Sequence, residues 1–160
     1  MSEQQNEGQQ KVYTRQQERR ELENYRQTRI ERIDRLHYRA HGANGATLDF
    51  GVGEGLLTPV ELLLAAIAGC SSVDVDAGTS RRSTPEVFEV LVSALKLTED
   101  GAVRLDEVQV DFDVRFPADE QGAKAQKMVD RLIQLSEQKD CTVSRTVEHP
   151  TEVTFYNLNG

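Results

Sequence analysis

Two cysteines are the residues of this sequence most able to carry out chemistry. Cys70 ends the run "AAIAGC", and Cys141 stands seventy-one positions later in "DCTVSRTV". A cysteine reacts as its thiolate, and an unperturbed thiol with a pKa of about 8.5 is mostly protonated at neutral pH. Chemistry at either sulfur therefore needs a nearby cation, a helix N-terminus or a base.

The surroundings of Cys70 in the sequence make an arginine the expected activator. Cys70 lies about eleven residues into a predicted helix, beyond the reach of the positive N-terminal end of its dipole. Asp74, one turn later, opposes ionisation of the thiol if it shares the same face. The arginines that the fold could bring to the sulfurs are Arg39, Arg81, Arg82 and Arg145.

The histidines predict neither hydrolase chemistry nor metal binding. No histidine stands beside either cysteine, which argues against a Cys-His hydrolase. The spacing of the histidines from one another and from the cysteines is not that of a metal site. We therefore expect no metal and no cofactor. The three histidines are His37, His41 and His149.

Two residues of the predicted helix have both a structural and a functional interpretation. Cys70 stands among Ala, Gly and Ser, where a cysteine is commonly a small core residue. Glu61 lies in a leucine run. Its carboxylate is therefore expected to have a charged partner or a raised pKa, or else to be a first-turn charge that interacts favourably with the helix dipole. Nine residues turn a helix by about 900°, which places Glu61 and Cys70 on opposite sides.

The first half of the chain predicts a hairpin followed by a buried helix. Residues 30–40 are ambiguous between helix and strand, Asn44-Gly45 is a hairpin turn signal, and residues 47–53 are typical of a returning strand. Thr58 is a good N-cap and Pro59 a good first helical residue. The helix is predicted to continue to Gly78, and its lack of a polar face predicts burial on all sides.

The second half predicts a second hairpin, an amphipathic helix and a last strand. Val108, Val110, Phe112, Val114 and Phe116 alternate with polar residues, which is typical of a strand with one buried face. The whole pattern predicts an α+β fold with antiparallel pairing. Its predicted elements are strands 87–97 and 108–116 around Asp100-Gly101, helix 121–138 and strand 151–158.

Composition narrows the class of protein. The net charge is −8 and the isoelectric point about 4.9, so we expect neither a nucleic-acid nor a membrane partner. No signal peptide and no run of ~20 apolar residues stands in the sequence, which predicts a cytoplasmic protein with free or redox-active cysteines. Residues 1–28 are predicted to be a polar extension, or an arm on a partner subunit, and residues 29–160 the main domain.

These motifs resemble a known family. "TPVELLLAAIAGCSSVDV", followed by a hairpin, a helix and "CTVSRTV", resembles the OsmC/Ohr proteins, which are osmotically inducible or confer resistance to organic hydroperoxides. The likeness covers roughly residues 36–158, in the branch that carries Pro-x-Glu. It implies an OsmC-like fold, in which two subunits intertwine as a homodimer and the sheet wraps around two central helices.

The resemblance also implies a reaction. Cys70 would attack an organic hydroperoxide and become a sulfenic acid, and Cys141 would condense with it to a disulfide. A dithiol partner, such as a lipoylated protein or thioredoxin, would then restore both thiols. In the family a glutamate and an arginine support the thiolate, and the candidates here are Glu61, Arg39 and Arg145. Ser144 is also placed to form a hydrogen bond to a sulfur.

Three functions stay open from the sequence. The first is a thiol-dependent hydroperoxide reductase in oxidative stress defence. The second is a non-catalytic stress-associated dimer that binds an apolar ligand or partner where the active site would be. The third gives the N-terminal arm a role of its own in capping the dimer or a groove.

Overall fold

The computed structural model describes residues 17–158. The chain divides into two units, one formed by Met1–Leu57 with Glu152–Gly160 and the other by Thr58–Thr151. Most of the predicted N-terminal extension, residues 1–16, lies outside the described residues; residues 17–20 are helical and exposed. No helix within residues 17–158 has the length and apolar character needed to cross a membrane.

The first unit contains a three-stranded antiparallel sheet. Its strands are β1 (Thr28–Asp34), β2 (His37–Gly42) and β3 (Thr47–Gly51), in the order β1-β2-β3. The predicted turn at Asn44-Gly45 is confirmed: Gly45 has a φ of 86°, and the Asn44 side chain accepts a hydrogen bond from the Ala46 amide at 3.1 Å. The ambiguous segment before the turn is strand.

The second unit opens with the long helix α1 (Pro59–Thr79). Thr58 is its N-cap and Pro59 its first residue, as the sequence predicts. The Thr58 hydroxyl accepts a hydrogen bond from the Glu61 amide, and the Glu61 carboxylate accepts one from the Thr58 amide at 2.7 Å. This reciprocal capping box satisfies backbone donors that the first turn would otherwise leave unpaired.

A two-stranded sheet packs on this helix. It pairs β4 (Val87–Glu99) with β5 (Ala102–Arg115) in antiparallel fashion, around the predicted turn at Asp100-Gly101. The buried core of the unit is formed by Val75 of α1, Val114 of β5 and Val129, with phenylalanines from both strands against it. These elements confirm the predicted α+β class with antiparallel sheets.

The predicted helix 121–138 is divided into several pieces. The chain forms α2 (Glu120–Gln126), α3 (Val129–Leu135) and a π-helical turn (Ser136–Asp140), and then continues as α4 (Thr142–Glu148). The division between α2 and α3 is a tight turn in which the Met128 amide bonds the Ala125 carbonyl at 2.9 Å. The apolar periodicity located this helical region but gave no sign of the breaks in it.

Close approach of α1 and α3 depends on a glycine. A Cβ added at Gly78 would lie 2.6 Å from a methyl group of Leu132, well inside van der Waals contact. Gly78 therefore lets α3, and the segment that follows it, pack directly on α1. This segment carries Cys141.

Two predictions about burial and pairing are wrong for the single chain. Residues 151–158 form no strand although their residues alternate, because no described strand pairs with them, and Phe155 is 90% exposed. Helix α1 is not buried on all sides, since Val73 is 68% and Val60 51% exposed. Both differences leave apolar surface uncovered.

Candidate active site

The structure brings the two cysteines together as free thiols. Cys70 lies on α1 and Cys141 is the N-cap of α4, and the two thiols are close enough for each to shift the pKa of the other. Packing of α3 and the π-helical turn on α1 produces this contact between residues far apart in sequence. A disulfide between them would require their Cα atoms to lie within about 7 Å of each other.

Cys141 is the sulfur better suited to carry negative charge. It is fully buried, which alone would raise its pKa, but hydrogen bonds from Ser144 outweigh this burial and lower the pKa of the Cys141 thiol. The Ser144 amide lies 3.3 Å and the Ser144 hydroxyl 3.1 Å from the sulfur. The Cys70 thiol and the Ser71 hydroxyl lower this pKa further. The predicted bond between Ser144 and a sulfur is thus present.

Cys70 is the sulfur better suited to keep its proton. Burial raises the pKa of the Cys70 thiol, and the hydrogen bond to Cys141 and the negative charge of Asp74 raise it further. The backbone amide of Val143 opposes this shift but does not reverse it. These opposite shifts make Cys141 the more acidic of the two thiols. The predicted opposition of Asp74 to ionisation of Cys70 agrees with this arrangement.

Asp74 also anchors the segment that carries Cys141. Its carboxylate accepts a hydrogen bond of 2.6 Å from the hydroxyl of Ser136, which is fully buried. Ser136 in turn uses its carbonyl to accept a hydrogen bond of 2.9 Å from the Cys141 amide. One carboxylate on α1 thus fixes the π-helical turn, and through this turn the start of α4.

A cavity of about 250 Å³ lies beside the pair in the second unit. Its walls are mainly apolar and come from α1, β5, α3 and α4. Ser144, which contacts the sulfur of Cys141, and Ser71, which also lowers the pKa of that thiol, belong to its lining. Two exposed carboxylates, Glu137 and Glu148, also line it. The remaining lining residues are Ile67, Val108, Val110, Phe112, Ile133 and Val147.

Glu61 is placed by the structure in the helix cap, away from the thiol pair. Its carboxylate is exposed and is held by the amide and hydroxyl of Thr58, each at 2.7 Å. The backbone hydrogen bond from Thr58 and then the hydroxyl bond lower the pKa of Glu61. Of the two interpretations of Glu61, the first-turn charge describes its position here.

Arg39 belongs to the first unit, where its charge is neutralised. It lies on β2 opposite Asp49 of β3, and its guanidinium contacts that carboxylate with Nη2–Oδ2 at 2.9 Å. The same carboxylate accepts a hydrogen bond from Nε2 of His37 at 3.0 Å. The hydrogen bond with Asp49 raises the pKa of Arg39. The structure gives Arg39 a role in cross-strand pairing.

The other candidate arginines do not bind the sulfurs within the second unit. Arg145 follows Cys141 on α4, but its guanidinium donates to the Gln138 carbonyl at 3.3 Å. Arg81 and Arg82 lie exposed in the turn after α1. Burial has the largest effect on the pKa of each thiol, followed by hydrogen bonds from neighbouring groups, and no cation of residues 17–158 is among the causes of either shift.

Sequence reasoning missed two residues of this arrangement. Ser71 directly follows Cys70, and this position next to a candidate cysteine could have indicated it. No sequence signal indicated Ser136, because it lies in a stretch predicted to be regular helix. Its hydroxyl reaches Asp74 because this stretch forms a π-helical turn.

Comparison with known proteins identifies the fold. A hypothetical protein from Aquifex aeolicus is 20% identical, with a TM-score of 0.61 over 78% of this chain and 88% of its own. An OsmC-like protein from Mycoplasma pneumoniae is 15% identical, with a TM-score of 0.57 over 79% and 89%. An OsmC-like protein of unknown function from Vibrio cholerae is 12% identical, with a TM-score of 0.55 over 78% and 94%.

Sequence comparison supplies the family. No curated protein matches the chain. The OsmC-like protein family matches residues 52–155, which include both cysteines and all of α1 to α4. The resemblance carried by the "TPVELLLAAIAGCSSVDV" and "CTVSRTV" motifs is thereby confirmed, and the chain belongs to the OsmC-like family.

Proposed function

We propose that this protein reduces organic hydroperoxides in oxidative stress defence, with Cys70 and Cys141 as its redox pair. The observation that carries the proposal is the contact between two thiols from distant parts of the chain, beside an apolar cavity. Membership of the OsmC-like family supports an oxidative-stress role. A reducing compartment such as the cytoplasm would return both thiols to the free state.

The first chemical step uses Cys141, the more acidic of the two thiols, as the base for Cys70. The Cys141 thiolate accepts the proton of Cys70, and the Cys70 thiolate then attacks the terminal oxygen of the hydroperoxide. The O–O bond breaks, Cys70 becomes a sulfenic acid, and the leaving alkoxide takes the proton from Cys141 to become an alcohol. Cys141 is a thiolate again and stands next to the new S–OH group.

The second step uses this regenerated thiolate. Cys141 attacks the sulfur of the Cys70 sulfenic acid, an S–S bond forms, and hydroxide leaves and is protonated by solvent. The peroxide has then gained two electrons, and the two cysteines have lost them. A dithiol, either a lipoylated protein or thioredoxin, returns two electrons by thiol–disulfide exchange and is itself oxidised.

We propose that the protein acts as a homodimer. Val60, Leu63 and Val73 are exposed on α1 of the second unit, and uncovered apolar surface of this kind is typical of protein–protein contacts. A helix with no polar face is stable when it is covered on all sides. A second copy that packs along α1 would supply this cover, as the family resemblance implies.

A turnover assay tests the proposed function. Cumene hydroperoxide is mixed with a dithiol and the protein, and loss of peroxide is followed. We expect the wild-type protein to turn over and the C70S variant to remain at the rate without protein. A wild-type rate no higher than that of C70S would end the proposal.

A non-catalytic dimer that binds an apolar ligand is the second candidate. The placement of Glu61 in the helix cap and the absence of a cation among the main influences on the sulfurs favour it. In that case C70A would keep full ligand binding, and peroxide would produce no disulfide. The N-terminal arm stays a further prediction, tested by deletion of residues 1–28 and measurement of dimer stability.

A further inference from the structure

We infer that the cavity beside the thiol pair selects uncharged organic hydroperoxides and disfavours those that carry a carboxylate. This inference rests on the proposed function and names the class of substrate. It starts from two features of the cavity lining, the serines that reach the sulfur and the two glutamates, Glu137 and Glu148.

Two serines lie both in the cavity lining and near the thiol pair. The hydroxyl of Ser144 lies 3.1 Å from the sulfur of Cys141, and Ser71 is close enough to lower the pKa of this thiol. Both line the cavity. The polar end of a molecule held there would face the hydroxyls next to the thiol pair, and its body would contact Ile67, Phe112 and the other apolar walls.

The size of the cavity favours a compact substrate. Ligand cavities are commonly about 300–1,000 Å³, and this one is about 250 Å³. An aryl or short branched alkyl hydroperoxide suits it better than a long chain. Its apolar walls provide no hydrogen-bond donor for a second polar group on such a molecule.

The glutamates give the cavity a negative electrostatic field. Glu137 lies in the π-helical turn and Glu148 ends α4, so two carboxylates face one small cavity. Within residues 17–158 neither of them takes part in a salt bridge. Lys139 and Arg145, the cations nearest along the chain, are outside the lining.

An anionic substrate would therefore meet repulsion that no lining residue offsets. Both glutamates are exposed, so salt screens their effect, and each is expected to weaken binding of an anion only by several-fold. Together they predict a preference of about tenfold for the neutral molecule. This preference arises from the two carboxylates at the cavity and not from the net negative charge of the whole chain.

The test compares two probes that differ by one group, cumene hydroperoxide and its para-carboxylate. We expect kcat/KM for the neutral probe to be about tenfold higher with the wild-type protein. The double variant E137Q/E148Q should reduce this ratio to about twofold, because kcat/KM should rise more for the carboxylate probe than for the neutral one. The ratio should also fall in about 1 M salt, where the screening length is about 3 Å.

A matched pair of substitutions separates the cavity from the overall charge. E86Q/E89Q removes the same charge from exposed positions at β4 that do not line the cavity. It should leave the tenfold ratio intact. The inference would be overturned if the wild-type protein had equal kcat/KM for the two probes. It would also be overturned if both double variants lowered the ratio of the two kcat/KM values equally.

A binding measurement keeps the inference testable if the protein has no peroxidase activity. The probes are then cumyl alcohol and its para-carboxylate, observed by ligand NMR. Tighter binding of the neutral alcohol, relaxed only by E137Q/E148Q, supports the cavity assignment even without turnover. Binding of the carboxylate as tightly as the alcohol would refute it, whereas failure of turnover alone refutes the proposed function.

Discussion

Hydrogen bonds with Ser144 lower the pKa of the Cys141 thiol. The Ser144 amide and hydroxyl both reach the sulfur of Cys141, at 3.3 and 3.1 Å. Hydrogen bonds to an ionised group are stronger than those to a neutral one. These bonds favour a thiolate at Cys141 although the residue is fully buried. Cys141 is the N-cap of α4, and a helix N-terminus is one of the groups that activate a cysteine.

Removal of the Ser144 hydroxyl should raise the pKa of the Cys141 thiol. In S144A one of the main hydrogen bonds to the thiolate is lost while the amide bond remains. Thiolate absorbance near 240 nm, followed against pH in a C70S background, should therefore rise at higher pH in S144A. The control S93A, at an exposed position of β4, should leave the curve in place. An unchanged curve in S144A would contradict this account of Cys141.

At the scale of elements, one hydrogen bond joins α1 to the π-helical turn that precedes Cys141. Ser136 donates to Asp74 over a sequence separation of sixty-two residues, and Ser136 has no exposed surface. The segment is otherwise held by the packing of α3 at Gly78. The position of Cys141 thus depends on a single buried hydroxyl and a carboxylate.

Substitution of Ser136 by alanine should loosen the attachment of Cys141 to α1. Loss of a hydrogen bond to a charged partner at a buried position costs about 1–2 kcal/mol. Urea denaturation should show this loss, and the rate of peroxide-induced disulfide formation should fall. The exposed S93A control should stay within about 0.5 kcal/mol of the wild type. Wild-type stability together with a wild-type disulfide rate in S136A would argue against this anchoring role.

The ion pair between β2 and β3 should make the first unit sensitive to acid. The guanidinium of Arg39, followed by His37, holds the pKa of Asp49 far below its usual range. A lowered folded pKa stabilises the native state above the unfolded pKa of about 3.9, and this stabilisation is lost as pH falls below it.

The D49N variant tests this acid sensitivity. Hydrogen exchange of the amides in β2 and β3 is measured from about pH 6 down to about pH 3, a range of about three pH units. Protection in the wild type should decrease through the lower part of this range, while D49N should start lower and vary less. A variant with the same pH dependence as the wild type would exclude Asp49 as its source.

The sequence predicted the elements better than it predicted the site. Alternation in β5 and the cap at Thr58 depend on local patterns, which the sequence displays directly. The helical region after α2 is broken where it packs on α1. A local sequence pattern therefore could not predict these breaks. The functional interpretation of Glu61 depended on the family resemblance, whereas its local role in the first turn could be read from its spacing to Thr58.

At the scale of the whole molecule, the apolar surface of α1 predicts association. Val73 is 68% exposed in the single chain, and aspartate there would place a charge in the proposed dimer contact. We expect sedimentation to give a dimer for the wild type and a shift towards monomer for V73D, with native circular dichroism. The control A123D adds the same charge at an exposed position of α2 and should remain dimeric.

Two results would refute the dimer. One is a wild-type protein that sediments as a monomer at every concentration. The other is a V73D variant that associates as strongly as the wild type. Either would leave the exposed side of α1 without the proposed cover.

The most direct test of the redox pair is peptide mass spectrometry after treatment with one equivalent of cumene hydroperoxide. The reduced protein is treated, its remaining thiols are blocked at once, and the digest is searched for a cross-linked peptide. We expect a Cys70–Cys141 disulfide in the wild type and a dimedone-trapped sulfenic acid at Cys70 in C141S. Two thiols that are blocked intact after peroxide treatment, with no cross-link and no sulfenic acid, would contradict the account.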